Sequence, residues 1–536
     1  MSAVAALALA LAPFAQEPQD TEPVVHAPDL TGGRWLNVER PLDSWDELRG
    51  QVVLLDFWTY CCINCLHMLP VLARLEDEFA DEPFLVVGVH SNKFPQEGEL
   101  ENVRAAIARH GIRHPVVVDE GHSIWQRFGV RAWPTFVLVD ATGNVVGGNS
   151  GEVPYERLRD AVRATLDRDR ARGVLAERPL FAPPAAADTG LLRFPGKVIR
   201  HGDALFVADT GHHRIVELGL DGATRRAFGG PEPGFEDGGA ASARFREPQG
   251  LATDGTWLYV ADTGNHAVRR IRLEDGAVET LAGTGEKGEG LPLPGSGLRT
   301  ALRSPWDVLL DGDDLHVAMA GSHQLWTLHL ADGRLERLAG SGREDLLDGP
   351  AHRAALAQPS GLALGRDRRL WFADSETSSI RWLDLEDREV HTLVGQGLFV
   401  WGHTDGPCDE AAFQHPLGVA LLDDATLVVA DTFDDALRRV DLGDCRVSTW
   451  FGPRDADTAE APALWEPGGV SVAEGLVYVA DTNHHRILEV DPEGGDWRIV
   501  VGPAVLRAGR DAAGGASETE GPGDAPAVPT PDDGGR

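Results

Sequence analysis

A short strand pattern that recurs six times dominates the second part of the sequence. The copies lie at 206–210, 259–263, 316–320, 371–375, 428–432 and 478–482, about 50–57 residues apart. A proline stands before each copy and opens another apolar run, and an apolar residue follows each copy at a fixed distance. Units of this kind stack side by side because none can bury its apolar face alone. Six units with four short strands each predict an all-β six-bladed β-propeller over residues 193–502.

Aspartate and histidine recur at one place in these repeats, directly after the second strand. Their recurrence in most units favours a structural role in the turns over a metal site, since one metal ion draws its ligands from only a few blades. We expect the aspartates to accept hydrogen bonds from nearby backbone N–H groups. The histidines at this place are His212, His213, His266, His323, His484 and His485.

Residues 30–175 have a different pattern, in which short apolar strands alternate with amphipathic helices. Strands are predicted at 52–58, 84–89 and 115–118, and a hairpin at 136–146. Helices are predicted at 66–79, 99–110 and 155–172. This order predicts an α/β domain whose sheet is parallel in the middle and antiparallel at one edge.

Three of the five cysteines fall within residues 61–65, a layout typical of a redox or metal motif rather than a disulfide scaffold. Cys62 and Cys65 form a C-x-x-C pair between a buried strand and an amphipathic helix. The start of the helix favours a thiolate at Cys62, which we expect to face solvent, and Cys65 lies nearly one turn later. Thiol–disulfide exchange needs this combination of a nucleophilic thiolate and a second thiol that displaces the mixed disulfide.

The dithiol in this setting, with Trp133-Pro134-Thr135 about 70 residues later, resembles thioredoxin and especially its cytochrome-maturation branch. The resemblance implies that Asp56 is a buried carboxylate that exchanges protons with Cys65. It also implies that Pro134 follows a cis peptide bond and packs against the dithiol, while the backbone of Trp133 pairs with a substrate peptide. The expected site residues are therefore Cys62, Cys65, Asp56 and Pro134.

Cys61 departs from that family, which usually has an aromatic residue at this position. The extra thiol has three explanations: a spare nucleophile, a regulatory partner or a small buried residue. Cys61 and Cys65 also form a C-x3-C pair, as in copper chaperones of the Sco type, and thiolates suit Cu(I). A distant histidine would have to complete such a site, and the sequence singles none out. We therefore expect no cofactor and no resident metal.

The repeats resemble the NHL type, whose Asn-His signature stands at Asn265-His266 and Asn483-His484. Together with the thioredoxin-like domain and its three clustered cysteines, they resemble the NHL-repeat-containing protein 2 family. The first functional hypothesis is a thiol–disulfide oxidoreductase that exchanges with a protein thiol or disulfide and uses the propeller to dock its protein partner. The alternative is a propeller scaffold for protein interaction, with a redox-silent or copper-binding thioredoxin-like domain.

Acidic residues outnumber Lys and Arg by 84 to 49, and the formal net charge is −35. A surface this acidic repels a phosphate backbone, so nucleic-acid binding is not expected. Residues 1–29 are interpreted as a leader, with an apolar start typical of a signal peptide and too short to span a membrane. We expect an exported protein, periplasmic or extracellular, with the cytoplasm as the alternative. Residues 176–192 are predicted to be a linker, and 503–536 a disordered acidic tail.

The two remaining cysteines, Cys408 and Cys445, are expected to be unpaired. Cys408 falls on the connection that enters the fifth blade, and Cys445 in the turn between its third and fourth strands. Because successive turns of a blade alternate between the two faces of a propeller, the thiols would lie about 15–20 Å apart. A disulfide needs Cα atoms within about 7 Å.

Overall fold

The first domain is built on a sheet whose strands follow the apolar runs of the sequence. The computed structural model describes residues 25–181, 190–452 and 462–503. Most of the predicted leader, the middle of the predicted linker and nearly all of the predicted tail lie outside the described residues.

The sheet of the first domain has six strands in the order β1-β4-β3-β2-β5-β6. They are β1 (Arg34–Leu36), β2 (Val52–Trp58), β3 (Phe84–His90), β4 (Val116–Val118), β5 (Thr135–Val139) and β6 (Val145–Ser150). Strands β2, β3 and β4 are parallel, whereas β1, β5 and β6 are antiparallel to their neighbours. β2 is buried along its whole length, as its continuous apolar run predicts for a central parallel strand. The predicted α/β fold is confirmed.

Helices cover both faces of this sheet. They are α1 (Ile63–Leu66), α2 (Leu69–Glu78), α3 (Leu100–Arg109), α4 (Ser123–Arg127) and α5 (Tyr155–Ala171). The helix predicted at 66–79 is in fact two helices, α1 and α2. Pro70 has no N–H to donate to the carbonyl of Leu66, so the hydrogen-bond ladder breaks between them. The break leaves α1 as a single turn that begins directly after Cys62.

The six repeats form six blades of a β-propeller, as predicted. Blade 1 comprises β7 (Val198–His201), β8 (Ala204–Asp209), β9 (Arg214–Gly219) and β10 (Thr224–Gly229). Blade 2 comprises β11 (Pro248–Thr253), β12 (Trp257–Asp262), β13 (Ala267–Arg272) and β14 (Val278–Ala282). Blade 3 comprises β15 (Gly295–Ser296), β16 (Pro305–Asp311), β17 (Asp314–Met319), β18 (Gln324–His329) and β19 (Arg334–Ala339).

The other three blades follow the same plan. Blade 4 comprises β20 (Gly349–Pro350), β21 (Pro359–Leu364), β22 (Arg369–Asp374), β23 (Ser379–Asp384) and β24 (Glu389–Val394). Blade 5 comprises β25 (Gly406–Pro407), β26 (Gly418–Asp423), β27 (Thr426–Asp431), β28 (Ala436–Asp441) and β29 (Arg446–Phe451). Blade 6 comprises β30 (Pro467–Ala473), β31 (Leu476–Asp481), β32 (Arg486–Val490) and β33 (Trp497–Val501).

The described helices include none long and apolar enough to cross a membrane.

The repeated polar residues hold neighbouring blades together. Asp262 accepts the backbone N–H of Arg246 at 2.8 Å and also binds the buried guanidinium of Arg269. Thr263, the next residue, donates to the carbonyl of Pro305 in the following blade. Thr482 of the last blade donates in the same way to Pro195 of the first, so the ring closes through the kind of bond that joins most neighbouring blades; Ala320 of blade 3 has no hydroxyl with which to form it. The expected role of the aspartates in the turns is confirmed.

The repeated histidines also have structural roles. His266 and its equivalents His213, His323 and His485 adopt left-handed backbone conformations, with φ of 50–55°. The Nδ1 of His266 accepts the backbone N–H of Ser304, the residue before the proline of the next blade. Equivalent bonds in other blades make this a feature of the repeat rather than of one site.

Cys408 and Cys445 form a disulfide with Cα atoms 5.3 Å apart, so the prediction of two free thiols is wrong. The connection into blade 5 runs along the outer edge of the blade, where β25 pairs antiparallel with β29. This pairing places Cys408 beside Cys445, whose carbonyl accepts the Cys408 N–H at 2.9 Å. A Gly-Pro strand of two residues has no alternating pattern by which the sequence would reveal it.

We expect the variant Cys408→Ser/Cys445→Ser to lose stability. The disulfide joins residues 37 apart in sequence, and a loop of that size lowers the entropy of the unfolded chain enough to contribute about 2–4 kcal/mol. Urea unfolding of the oxidised native chain and the variant measures the difference. The control repeats the comparison in a reducing buffer, which opens the Cys408–Cys445 disulfide of the native chain and should remove the difference. A change below about 0.5 kcal/mol in the double variant would contradict the prediction.

Candidate functional site

The dithiol lies at the C-terminal end of the central strand β2, where α1 begins. Cys62 is the N-cap residue of α1, and its carbonyl accepts the N–H of Cys65 at 2.9 Å. The peptide bond between Trp133 and Pro134 is cis, as the resemblance to thioredoxin implies. Trp133 packs against the apolar cluster that contains the three neighbouring cysteines. The residue before the cis proline and the dithiol therefore pack in the same apolar cluster.

Asp56 is buried on β2, and neither of its carboxyl oxygens has a hydrogen-bond partner in the described part of the chain. Burial raises the pKa of this carboxyl to about 8. Burial also raises the pKa of the Cys65 thiol, with further contributions from its hydrogen bond to Cys62 and from the charge of Asp56. Asp56 and Cys65 are therefore near enough for the charge of the carboxyl to affect the pKa of the thiol.

Cys62 is only 7% exposed, which corrects the expectation that it faces solvent. The propeller covers it. The side-chain amide of Gln358 donates to the carbonyl of Cys61 at 2.8 Å and accepts the N–H of Ile63 at 2.9 Å. One propeller side chain thus bonds to the backbone on both sides of Cys62.

Gln358 belongs to a set that we call the pre-proline ring, the six residues that precede the first-strand proline of each repeat. All six have a left-handed backbone, with φ of 46–65°. Its members are Phe194, Glu247, Ser304, Gln358, His415 and Glu466. Non-glycine residues adopt this conformation rarely, and it often marks functional positions. Here five of the six side chains contact the first domain, namely Phe194, Ser304, Gln358, His415 and Glu466.

Two further members of the pre-proline ring bind the first domain directly. Glu466 accepts hydrogen bonds from the hydroxyl of Tyr60 at 2.9 Å and from the guanidinium of Arg109 at 2.5 Å. Ser304 lies 2.8 Å from Nε2 of His67. These buried polar contacts, on two sides of the dithiol, fix the orientation of the domain on the propeller.

The middle residue of the turn after each second strand forms the other half of the contact. Blades 1–3 have glycine there. At Gly321 a larger residue would not fit, because its Cβ atom would lie 2.9 Å from the side chain of His67. Blades 4–6 instead have Glu376, Phe433 and Asn483. The Phe433 ring packs 5.4 Å from that of Tyr60, and Glu376 binds the Lys93 ammonium at 2.5 Å.

These contact residues were missed in the sequence analysis, although the sequence holds a signal for them. The residue before each repeat proline varies among Phe, Glu, Ser, Gln and His, while the proline itself is constant. The middle turn residue changes from glycine to larger side chains in the fourth to sixth copies. Variation at fixed positions of a regular repeat indicates side chains with a task outside the repeat.

The fold and the site define a class of protein: a thioredoxin-like domain whose C-x-x-C dithiol lies against one face of a β-propeller. Family models agree, with thioredoxin-like matching residues 50–145 and NHL repeat matching residues 464–489. NHL repeat-containing protein 2 of Homo sapiens is 37% identical over 527 residues, which cover 90% of this chain and 72% of that protein. The chain belongs to the NHL repeat-containing protein 2 family.

Two other relatives match different parts of the chain. Protein SUPPRESSOR OF QUENCHING 1, chloroplastic, from Arabidopsis thaliana is 39% identical over 497 residues, or 86% of this chain and 46% of that protein. Thiol-disulfide oxidoreductase ResA of Halalkalibacterium halodurans is 30% identical over 114 residues, or 21% of this chain and 62% of that protein. The second match is confined to a length that fits the first domain alone.

Proposed function

We propose that this protein is a thiol–disulfide oxidoreductase in which Cys62 attacks the substrate and Cys65 resolves the mixed disulfide. The observation that carries the proposal is Asp56, a carboxyl buried without a partner beside Cys65. Such burial costs several kcal/mol when the group is ionised, and folds retain it where the proton has a use. The similarity to a thiol-disulfide oxidoreductase over 114 residues supports the same chemistry.

The reaction transfers two electrons from the dithiol to a disulfide. The Cys62 thiolate attacks one sulfur of the substrate, which forms a mixed disulfide and releases the first substrate thiolate. Ionised Asp56 then accepts the proton of Cys65, and the Cys65 thiolate attacks the sulfur of Cys62. The second substrate thiolate leaves, and a Cys62–Cys65 disulfide remains. The same steps in reverse oxidise a substrate dithiol.

The propeller controls access to this chemistry and serves as the docking platform for the protein partner. The hydrogen bonds of Gln358 must open before a substrate sulfur can reach Cys62, because that residue covers the dithiol. Once they open, the polar groups of the pre-proline ring that bound the first domain are free to bind backbone groups of a partner. Domain opening and partner docking are thus two uses of one surface.

A redox titration of the full chain tests the proposed reaction. After equilibration in buffers with graded ratios of reduced to oxidised glutathione, free thiols are alkylated and located by peptide mass spectrometry. We expect a single two-electron transition that links Cys62 to Cys65. The variant Cys65→Ser removes the transition, and the matched variant Cys61→Ser retains it. Absence of a Cys62–Cys65 disulfide at every ratio would contradict the proposal.

The burial of Cys62 favours a second candidate, a propeller scaffold with a redox-silent thioredoxin-like domain. A site that never exchanges thiols can keep its cysteines covered at no functional cost. The same titration separates the two candidates, because a silent domain shows no transition in the full chain.

We also propose that the protein is exported. The disulfide between Cys408 and Cys445 supports this location, since disulfides form and persist in oxidising compartments and are rare in the cytosol. Subcellular fractionation, with thiol alkylation before lysis, tests it. Recovery of Cys408 and Cys445 as free thiols in a cytosolic fraction would contradict the proposal.

A further inference from the structure

Three metal-ligating side chains of different kinds meet where the first domain contacts blades 4 and 5. They are the thiol of Cys61, the carboxyl of Glu376 and the imidazole of His415, and their ligand atoms lie within 4.8 Å of one another. All three residues are buried, with exposures of 3%, 2% and 3%. In the sequence, Cys61 is more than 300 residues from each of the other two. Only the packing of the first domain on the propeller brings the three side chains together.

The ligand atoms of the two propeller residues lack the partners that buried polar groups normally have. Neither ring nitrogen of His415 has a hydrogen-bond partner in the described residues, and neither does Oε1 of Glu376. An unsatisfied buried polar atom costs about 1–3 kcal/mol. One of these ring nitrogens and a carboxylate oxygen of Glu376 lie within 4.8 Å of each other and of the Cys61 thiol, an arrangement that points to a bound metal ion.

The surroundings hold each of these side chains in place. The N–H of Cys61 donates to Glu97 at 2.8 Å, and the ring of His415 stacks on that of Phe433, with centroids 4.5 Å apart. Oε2 of Glu376 accepts a hydrogen bond from the ammonium of Lys93, which leaves Oε1 without a hydrogen-bond partner in the described residues. Outer partners of this kind orient metal ligands in established sites.

We propose that Cys61, Glu376 and His415 bind one Zn²⁺ ion. Thiolate sulfur, imidazole nitrogen and carboxylate oxygen are the three donor types that zinc takes from proteins. Around a tetrahedral zinc ion these donor atoms lie about 3.3–3.6 Å apart, so the observed group, whose ligand atoms are within 4.8 Å of one another, needs to contract by up to about 1.5 Å. Zinc neutralises the thiolate and the carboxylate, while Glu344, 3.7 Å from Lys93, balances the ammonium.

The bound ion would join the thioredoxin-like domain to the propeller beside Cys62. This assignment gives Cys61 a role that does not involve Cys65 and replaces the expectation of no resident metal. The site needs neither redox activity nor ionisation of the Cys62–Cys65 dithiol, so it stands independently of the proposed reaction. With three protein ligands, the fourth position of the metal is open to water or a thiol.

Metal titration of the full chain tests the site, with Cys62→Ser/Cys65→Ser as the reference so that the dithiol does not compete. We expect the reference to bind one equivalent of Zn²⁺ in competition with a chromophoric chelator. Co²⁺ in its place gives a thiolate-to-cobalt charge-transfer band. Adding Cys61→Ser abolishes that band, and adding Glu376→Gln or His415→Asn weakens zinc binding at least 100-fold.

A matched control distinguishes this site from a second possible ligand group on blade 5. His403, Asp431 and Asp434 also place three ligand atoms within 4.8 Å, and His403→Gln removes one of them while leaving Cys61 intact. We expect His403→Gln to retain full zinc binding. Because Glu376→Gln preserves shape, it tests the carboxylate without loss of packing. No zinc binding by the reference, or undiminished binding with Cys61→Ser, would overturn the proposal.

Discussion

Replacing Phe433 with glycine should raise the alkylation rate of Cys62 about 100-fold. The Phe433 ring is buried among Tyr60, Phe94 and His415 where the two domains meet. Loss of a buried phenyl ring costs about 3–5 kcal/mol. If most of that loss falls on the contact between the domains, the open state becomes about 100 times more populated, and alkylation follows its population.

The variant Phe433→Gly is chosen because the repeat tolerates it. Glycine occupies this position of the turn in blades 1–3, and the backbone bond from Phe433 N–H to Gln414 does not require a side chain. Iodoacetamide labelling in the presence of a metal chelator, with mass spectrometry of the Cys62 peptide, gives the rate. The control is Phe413→Leu, which perturbs the core of blade 5 without touching the first domain. Equal rates in the native chain and Phe433→Gly would show that the propeller does not gate Cys62.

Local patterns were sufficient to predict most of the fold. The continuous apolar run of β2 and the sixfold repeat each reflect burial within one element or one unit, and such burial leaves a period in the sequence. The C-x-x-C pair of Cys62 and Cys65 was also visible locally, between a strand pattern and a helix pattern, whereas Asp56 entered through the resemblance to thioredoxin.

The contact between the domains could not be predicted in this way. The bonds of Gln358 to Cys61 and Ile63 join positions 297 and 295 residues apart, and no local period records how two folded domains meet. The burial of Cys62 follows from that contact, so the expectation of an exposed thiol was wrong for a reason outside the thioredoxin-like domain. The two-residue strand at Gly406–Pro407 escaped because it is too short for alternation.

Replacing Asp56 with asparagine should make the protein more stable at pH 8 while slowing exchange. Burial raises the pKa of Asp56 to about 8 in the folded chain, against 3.8 for an ordinary aspartate. Between these two values the folded state holds a proton that the unfolded state has lost, so stability falls as the pH rises through this window. In this window the free energy of unfolding falls by up to about 1.4 kcal/mol per pH unit. The variant Asp56→Asn lacks the ionisable carboxyl that causes this fall, so it should be more stable than the native chain by about 3–5 kcal/mol at pH 8.

The same substitution removes the base that takes the proton from Cys65. We expect release of a mixed disulfide on Cys62 to slow by about 10²-fold near pH 8, with a smaller effect at pH 6, where Asp56 is mostly protonated. Denaturant unfolding between pH 5 and 9 measures stability, and stopped-flow release of a chromophoric thiol from Cys62 measures resolution. The free energy of unfolding should rise while the rate of mixed-disulfide release falls. A merely structural role for Asp56 does not produce this combination.

The control Asp140→Asn should reverse the sign of the stability change. Although burial opposes it, hydrogen bonds from the backbone N–H of Asn144 and from Thr142 hold the pKa of Asp140 below its usual value. The charge of Asp140 therefore stabilises the fold above the pKa of an unfolded aspartate, and this contribution is lost as the pH falls through the folded value. Asp140→Asn should thus destabilise the protein at pH 7 and leave mixed-disulfide release unchanged. If Asp56→Asn neither flattens the pH dependence of stability nor slows release, the assignment of Asp56 as the proton acceptor for Cys65 is wrong.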